Sequence, residues 1–89
     1  MASERELERV LKALANRRRL ALLRLLKRGE RMNVSALARA IHLSVRATSQ
    51  HLVMLHRIGV VNREQTRLEV FYSLRDKLPR VARDVLKEL

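Results

Sequence analysis

The chain has 89 residues, 47% of them apolar, with two glycines, one proline and no cysteine. That composition describes one small folded domain and excludes disulfides, thiolate metal sites, cysteine nucleophiles and a disordered basic tail. Twenty Lys and Arg against nine Asp and Glu give a formal charge of +11, so polyanions are the expected partners, nucleic acid or an anionic membrane first among them.

The chain opens with Ser3-Glu4-Arg5-Glu6, a capping box in which a serine oxygen meets helix-start amides and a glutamate follows three residues later. Leu7, Val10, Leu11 and Leu14 then fall on one helical stripe. Asn16 interrupts the pattern and suits the cap of a second helix. That helix carries Leu20, Leu23 and Leu26, widened by Leu22 and Leu25, and Gly29 fits its C′ position behind Lys27 and Arg28. A third, short helix is expected over 34–41 with Asn33 as cap and Leu37, Ala38 and Ile41 inward. His42-Leu43 form a tight connection. Ser44 caps a fourth helix running to Arg57, with Leu52, Leu55 and Ile58 buried and Gly59 ending it.

From Val60 the period changes. Val60 to Arg63 reads as a strand and Glu64 to Arg67 as a polar loop. Leu68, Val70, Tyr72 and Leu74 then alternate with Glu69, Phe71 and Ser73, which predicts a half-buried second strand. Asp76 to Leu89 reads as a last helix with Pro79 in its first turn, and Leu78, Val81, Val85, Leu86 and Leu89 as its apolar stripe. The expected fold is mainly α with a β-hairpin, in the order α-α-α-α-β-β-α, as a single domain over 1–89.

A short helix, a tight turn and a serine-capped second helix make a helix-turn-helix, and the basic hairpin behind it makes a wing. Such a second helix enters the major groove with its N-terminal residues nearest the bases. The base-reading candidates are therefore Val45, Arg46, Ser49 and Gln50, with Val53 a turn further on. Arg46 can fork onto guanine O6/N7, Gln50 onto adenine N6/N7, and Val45 can touch a thymine methyl. Ser44, His51, Arg63 and Arg67 are candidates for the DNA backbone. So are Arg17 and Arg18, where a bound phosphate would offset cations crowded at a helix start; Arg19 is expected to be structural. The same basic surface also fits a module that binds DNA or RNA without strong sequence preference, or one that binds a protein.

Leu11-Lys12-Ala13-Leu14-Ala15-Asn16, Arg19-Leu20 and Leu23-Leu26 open a pattern that continues through Leu37-Ala38, Leu43-Ser44, Ser49-Gln50-His51-Leu52, Leu55 and Gly59-Val60-Val61. It ends at Val70-Phe71-Tyr72-Ser73-Leu74. This ordered set, over roughly 7–74, resembles the ArsR/SmtB-type winged-helix repressors. The resemblance implies a homodimer on an inverted-repeat operator, joined through its first and last helices. Leu7, Val10, Leu11, Leu14, Val81, Val85, Leu86 and Leu89 are the corresponding interface candidates.

The departures from that pattern bear on regulation. Met32-Asn33-Val34-Ser35 stands where metal sensors often carry a cysteine pair, and the last helix has Asp76 and Asp84 but no histidine. His51 and His56 lie roughly 140° apart around one helix, too far around for a chelating pair. No metal and no cofactor are expected, and an effector, if one exists, is an unidentified small molecule or protein. His42 replaces the usual glycine of the turn, and the wing-tip glycine is missing as well. No glycine-rich phosphate loop, based nucleophile or carboxylate pair points to an enzyme. The longest apolar runs, 20–23 and 52–55, are too short for a membrane span. The charged start is no signal peptide, so a cytoplasmic protein without membrane partners is expected.

Overall fold

The computed structural model describes residues 2–89. Its elements are α1 (Glu4–Leu14), α2 (Arg17–Leu26), β1 (Met32–Asn33), α3 (Val34–Ala40), α4 (Val45–Arg57), β2 (Val61–Gln65), β3 (Val70–Leu74) and α5 (Arg80–Lys87).

Four helices begin at the expected caps. Ser3 Oγ accepts from the Glu6 amide at 3.2 Å, and Asn16 Oδ1 accepts from Arg18 and Arg19 at 3.0 and 3.1 Å. Asn33 Oδ1 accepts from Ala36 at 2.7 Å, and Ser44 Oγ from Ala47 at 3.1 Å. Each such bond satisfies an amide that the helix itself leaves without a partner. Gly59, at φ +79°, ends α4 as expected. The Val60 amide reaches back to Leu55 O at 3.3 Å and that of Gly59 to His56 O at 3.1 Å, the two-bond closure of a left-handed C-cap. At α2 the cap is Lys27 rather than Arg28, and Gly29, at φ +92°, lies one residue beyond the expected position.

Leu22, Leu23 and Leu26 of α2, Leu37 of α3 and Leu52 and Leu55 of α4 are all fully buried, together with Val60. They form a single core on which the α3–α4 pair rests. Truncating any of these leucines to alanine costs about 2–5 kcal/mol. Two long cations join elements at helix ends: Arg9 Nη1 donates to Arg57 O at 3.2 Å, and Lys27 Nζ to Leu86 O at 2.9 Å. Both place positive charge at a helix C-terminus, the negative end of its dipole.

The hairpin belongs to a three-stranded antiparallel sheet of order β1-β3-β2, with Met32 opposite Tyr72 and Arg63 also opposite Tyr72. β1 is not expected from the sequence. β2 extends through Glu64 and Gln65, which the sequence pattern places in the loop, and the loop shrinks to Thr66–Glu69. Leu68, expected on the inner face of the second strand, lies instead at the loop tip, 88% exposed, while Tyr72 is buried and Val70 and Leu74 are half-buried.

α5 begins later than expected. Pro79 is not inside its first turn but is the preceding cap, with φ −52° and ψ 143°. Asp76 to Leu78 are therefore outside the helix. None of the helices in the described residues is long and apolar enough to cross a membrane.

Candidate nucleic-acid interface

The turn that aims α4 is built from Ile41 to Ser44. His42 takes φ +56°, the sole non-glycine residue with positive φ among the described residues. Leu43 N donates to Ala38 O at 3.0 Å and His42 N to Arg39 O at 3.2 Å. A histidine thus occupies a left-handed cap that glycine fills without steric cost. Ser44 Oγ, having accepted the Ala47 amide, retains its hydroxyl hydrogen for a further acceptor.

α4 divides cleanly between two faces. Thr48, Leu52 and Leu55 point into the core. Val45, Arg46, Gln50 and Val53 are exposed and Ser49 is half-buried. The four base-reading candidates therefore share the side of the helix that is free to meet a ligand, with Val53 continuing it.

The arginine candidates for the DNA backbone lie on α2 and on the wing. Arg17 and Arg18, exposed at the start of α2, line a cleft of about 320 Å³ with Ala40 and Ile41 at the end of α3. Asn16 already holds the amides of Arg18 and Arg19. A phosphate there would thus be gripped by guanidinium groups, not by the helix-start amides.

Arg19 is structural, and its role is larger than sequence reasoning assigns. Its Nη1 donates to Ala13 O at 3.1 Å and its Nε to His51 Nδ1 at 3.3 Å. One side chain therefore ties the end of α1 to α4. The His51 pKa is held below its ordinary value of 6.5, first by burial and then by the positive charges of Arg19 and Arg18.

On the wing, Arg63 and Arg67 are exposed, and Arg63 Nη2 donates to Gln65 Oε1 at 3.3 Å. Neither Arg67 nor Leu68 takes positive φ, so the tip closes without the left-handed residues of the commonest two-residue hairpins. Thr66 closes it instead: its amide donates to Glu69 O at 2.8 Å, and its Oγ1 accepts the Glu69 amide at 3.1 Å.

Both wing carboxylates are engaged from the segment before α3, which sequence reasoning misses. Arg31 pairs with Glu64 and lies over the Phe71 ring, 4.2 Å from its centre. Asn33 Nδ2 donates to Glu69 Oε1 at 2.7 Å while its Oδ1 caps α3. Alternation in the hairpin carries no trace of either partner, because both lie more than thirty residues upstream. The charge pattern is plainer. From Arg9 to Arg63 the chain has thirteen Lys and Arg and a single carboxylate, Glu30.

Of the interface candidates, Leu7 and Leu11 are 40% and 44% exposed, and Val81, Val85 and Leu89 are half-buried. Val10, Leu14 and Leu86 are buried in the protomer's own core. Leu7 and Val81 line a groove between α1 and α5 of about 560 Å³, rimmed by Glu6, Arg9, Arg80 and Asp84. Among the described residues, no three His, Cys, Asp or Glu side chains gather as a metal would require.

Comparison with known proteins agrees with this geometry. The sequence model of "Bacterial regulatory protein, arsR family" matches residues 16–63. The transcriptional activator HlyU of Vibrio cholerae serotype O1 is 45% identical over 65 residues, which are 73% of this chain and 59% of that protein. The chain thus spans less than two thirds of that curated relative. The structure of reduced HlyU superimposes with a TM-score of 0.76 at 34% identity, covering 94% of this chain and 84% of the other. The transcriptional repressor BigR from Xylella fastidiosa gives 0.77 at 27% identity, covering 96% and 83%. A homodimeric winged helix-turn-helix DNA-binding domain from Mycobacterium bovis, described as a possible ArsR-family regulator, gives 0.73 at 30%, covering 99% and 81%.

Proposed function

The chain belongs to the arsR family of bacterial regulatory proteins, and from that premise we propose that it is a sequence-specific DNA-binding transcriptional regulator. It binds an inverted-repeat operator as a homodimer, in the cytoplasm, and acts as a repressor. The observation that carries this reading is the exposed face of α4. Val45, Arg46 and Gln50 stand exposed there beside half-buried Ser49, while Thr48, Leu52 and Leu55 fill the core side of the same helix.

In the proposed complex α4 lies in the major groove. Arg46 donates two parallel bonds to a guanine, Gln50 pairs with an adenine edge, and Val45 and Val53 pack on thymine methyls. Ser44, His51, Arg17 and Arg18 hold the phosphates beside the groove, and Arg63 and Arg67 hold those under the wing. These backbone contacts set register and affinity but carry no base information. Repression needs only that the bound dimer occupy its operator. Leu7 and Leu11 support the dimer, since contiguous exposed apolar surface favours a two-fold contact, and the M. bovis domain is described as homodimeric. The regulating signal is a small molecule, a protein partner or the protein's own concentration.

Selection from a randomised duplex library, followed by footprinting of the enriched site, tests the reading. Recovery of a palindromic site protected as two half-sites about one helical turn apart is the expected result. Equal retention of all sequences would replace it with a module that binds nucleic acid without preference. Retention of none would point to a protein partner.

A further inference from the structure

We infer that Arg19 is a positioning residue for the DNA contact: it fixes the tautomer of His51, so that the ring meets the DNA backbone as a neutral donor through its Nε2–H. The inference rests on the DNA-binding reading above and deepens it. A guanidinium stays protonated and has donors only, so the nitrogen it reaches must present a lone pair. Arg19 Nε donates to His51 Nδ1 at 3.3 Å, which leaves Nε2 to carry the ring's one proton. Arg19 cannot readily turn away, because its Nη1 is held on Ala13 O at 3.1 Å and its own amide is held by Asn16.

The surroundings maintain this state. The charges that act on the ring are Arg19 and Arg18, both from α2, and burial works in the same direction; what α1 contributes is the neutral carbonyl of Ala13. A second proton on the ring would break the Arg19 bond and add a cation beside two others. His51 therefore differs in kind from the arginines around it. They attract the backbone over distance, whereas the ring is half-buried and offers one directed donor at fixed depth on the reading helix itself.

Two measurements on the intact protein test this. Long-range ¹⁵N–¹H correlation spectra of the free protein read the tautomer directly. The expected result is the Nε2–H form of His51 with a titration midpoint below 6.5, and loss of that tautomer preference in Arg19→Lys, which keeps the charge without the planar two-point grip. DNA affinity at neutral pH is then compared for His51→Ala, His51→Asn and His51→Gln. Alanine and asparagine should each weaken binding about three- to tenfold on preferred and random duplexes alike, as one hydrogen bond to a phosphate is worth. Glutamine, whose amide nitrogen stands where Nε2 does, should recover most of that affinity.

Wild-type His51 in the Nδ1–H form, or titrating at or above 6.5, overturns the proposal. So does undiminished binding by His51→Ala when Arg46→Ala no longer binds the preferred site, and that outcome leaves the regulator reading intact. A wild-type protein that binds no DNA overturns both. Should Arg19→Lys fail to fold by circular dichroism, the wild-type spectrum and the His51 series decide the matter.

Discussion

Replacing Thr48 by valine should stabilise the protein. Thr48 lies on the core face of α4 at 0% exposure, and its Oγ1 is buried with no hydrogen-bond partner among the described residues. Its amide is satisfied by Ser44 O at 2.9 Å, so the defect is confined to the hydroxyl. Leaving a buried hydroxyl unpaired costs about 1–3 kcal/mol. Valine has the same branched shape and nearly the same helix propensity, and its extra methyl gains up to about 0.8 kcal/mol by burial. Taking the lower part of that range, Thr48→Val should gain about 1–2 kcal/mol per chain, which raises Tm by roughly 4–8 °C for each kcal/mol in a domain of this size. Urea titrations at one protein concentration, so that dimerisation contributes equally, should shift the midpoint without changing the slope. Thr48→Ser keeps the hydroxyl, loses a buried methyl, and should destabilise by about 1 kcal/mol. A Thr48→Val protein less stable than wild type would refute the reasoning, because the hydroxyl would then have to be bonded in solution.

Five further outcomes are expected. On DNA, Arg46→Ala and Gln50→Ala should each cost about 1–3 kcal/mol on the selected site and relax specificity there, and equal effects on random DNA for Arg46→Ala would mean that α4 is not the reading helix. In the same assay Arg63→Ala and Arg67→Ala should weaken binding on all sequences alike and lower the slope of log affinity against log salt by about 0.9 for each phosphate no longer neutralised. Leu11→Glu should convert the dimer to monomer in light scattering at roughly ten micromolar, a scale taken from ordinary affinity arithmetic, and persistence of the dimer would move the interface away from α1. Because the His51 pKa is depressed in the folded state, the unfolded chain binds more protons just below pH 6.5; that stability is present above pH 6.5 and is lost as pH falls through the folded value, and His51→Gln should flatten this part of the Tm–pH curve. Zinc, nickel or arsenite should shift operator affinity by less than tenfold, about 1.4 kcal/mol of coupling, since the chain has no cysteine and its described carboxylates and imidazoles do not cluster.

What can be read from the sequence is local chemistry. Ser3, Asn16, Asn33 and Ser44 all cap as their residue types suggest, because a cap is decided within four residues. The reading face of α4 is legible for the same reason: periodicity separates Leu52 and Leu55 from Arg46 and Gln50. β1 is not, since two residues are too few to show alternation, and Met32 and Asn33 become a strand only by meeting Tyr72 and Phe71. Leu68 misleads because the alternation through Val70 to Leu74 extends to it in sequence while Thr66 closes the turn around it. The start of α5 is misjudged on Pro79, which suits a first turn but also biases Leu78 before it away from helical backbone. The Arg19–His51 bond spans 32 residues, and no local pattern announces such a contact.

Asn33 has a consequence for how two protomers would meet DNA. One amide group both closes the first turn of α3 and holds Glu69 in the tip loop of the wing. Swinging the wing on that tether strains or uncaps a helix, a cost of about 1 kcal/mol, with the Arg31 interactions with Glu64 and Phe71 to be broken as well. Because α4 packs on α3, the wing, α3 and the reading helix are coupled as one jaw. In the proposed dimer, any tolerance for half-sites that are slightly too near or too far apart would then reside at the proposed α1–α5 junction between the two jaws, not inside either of them.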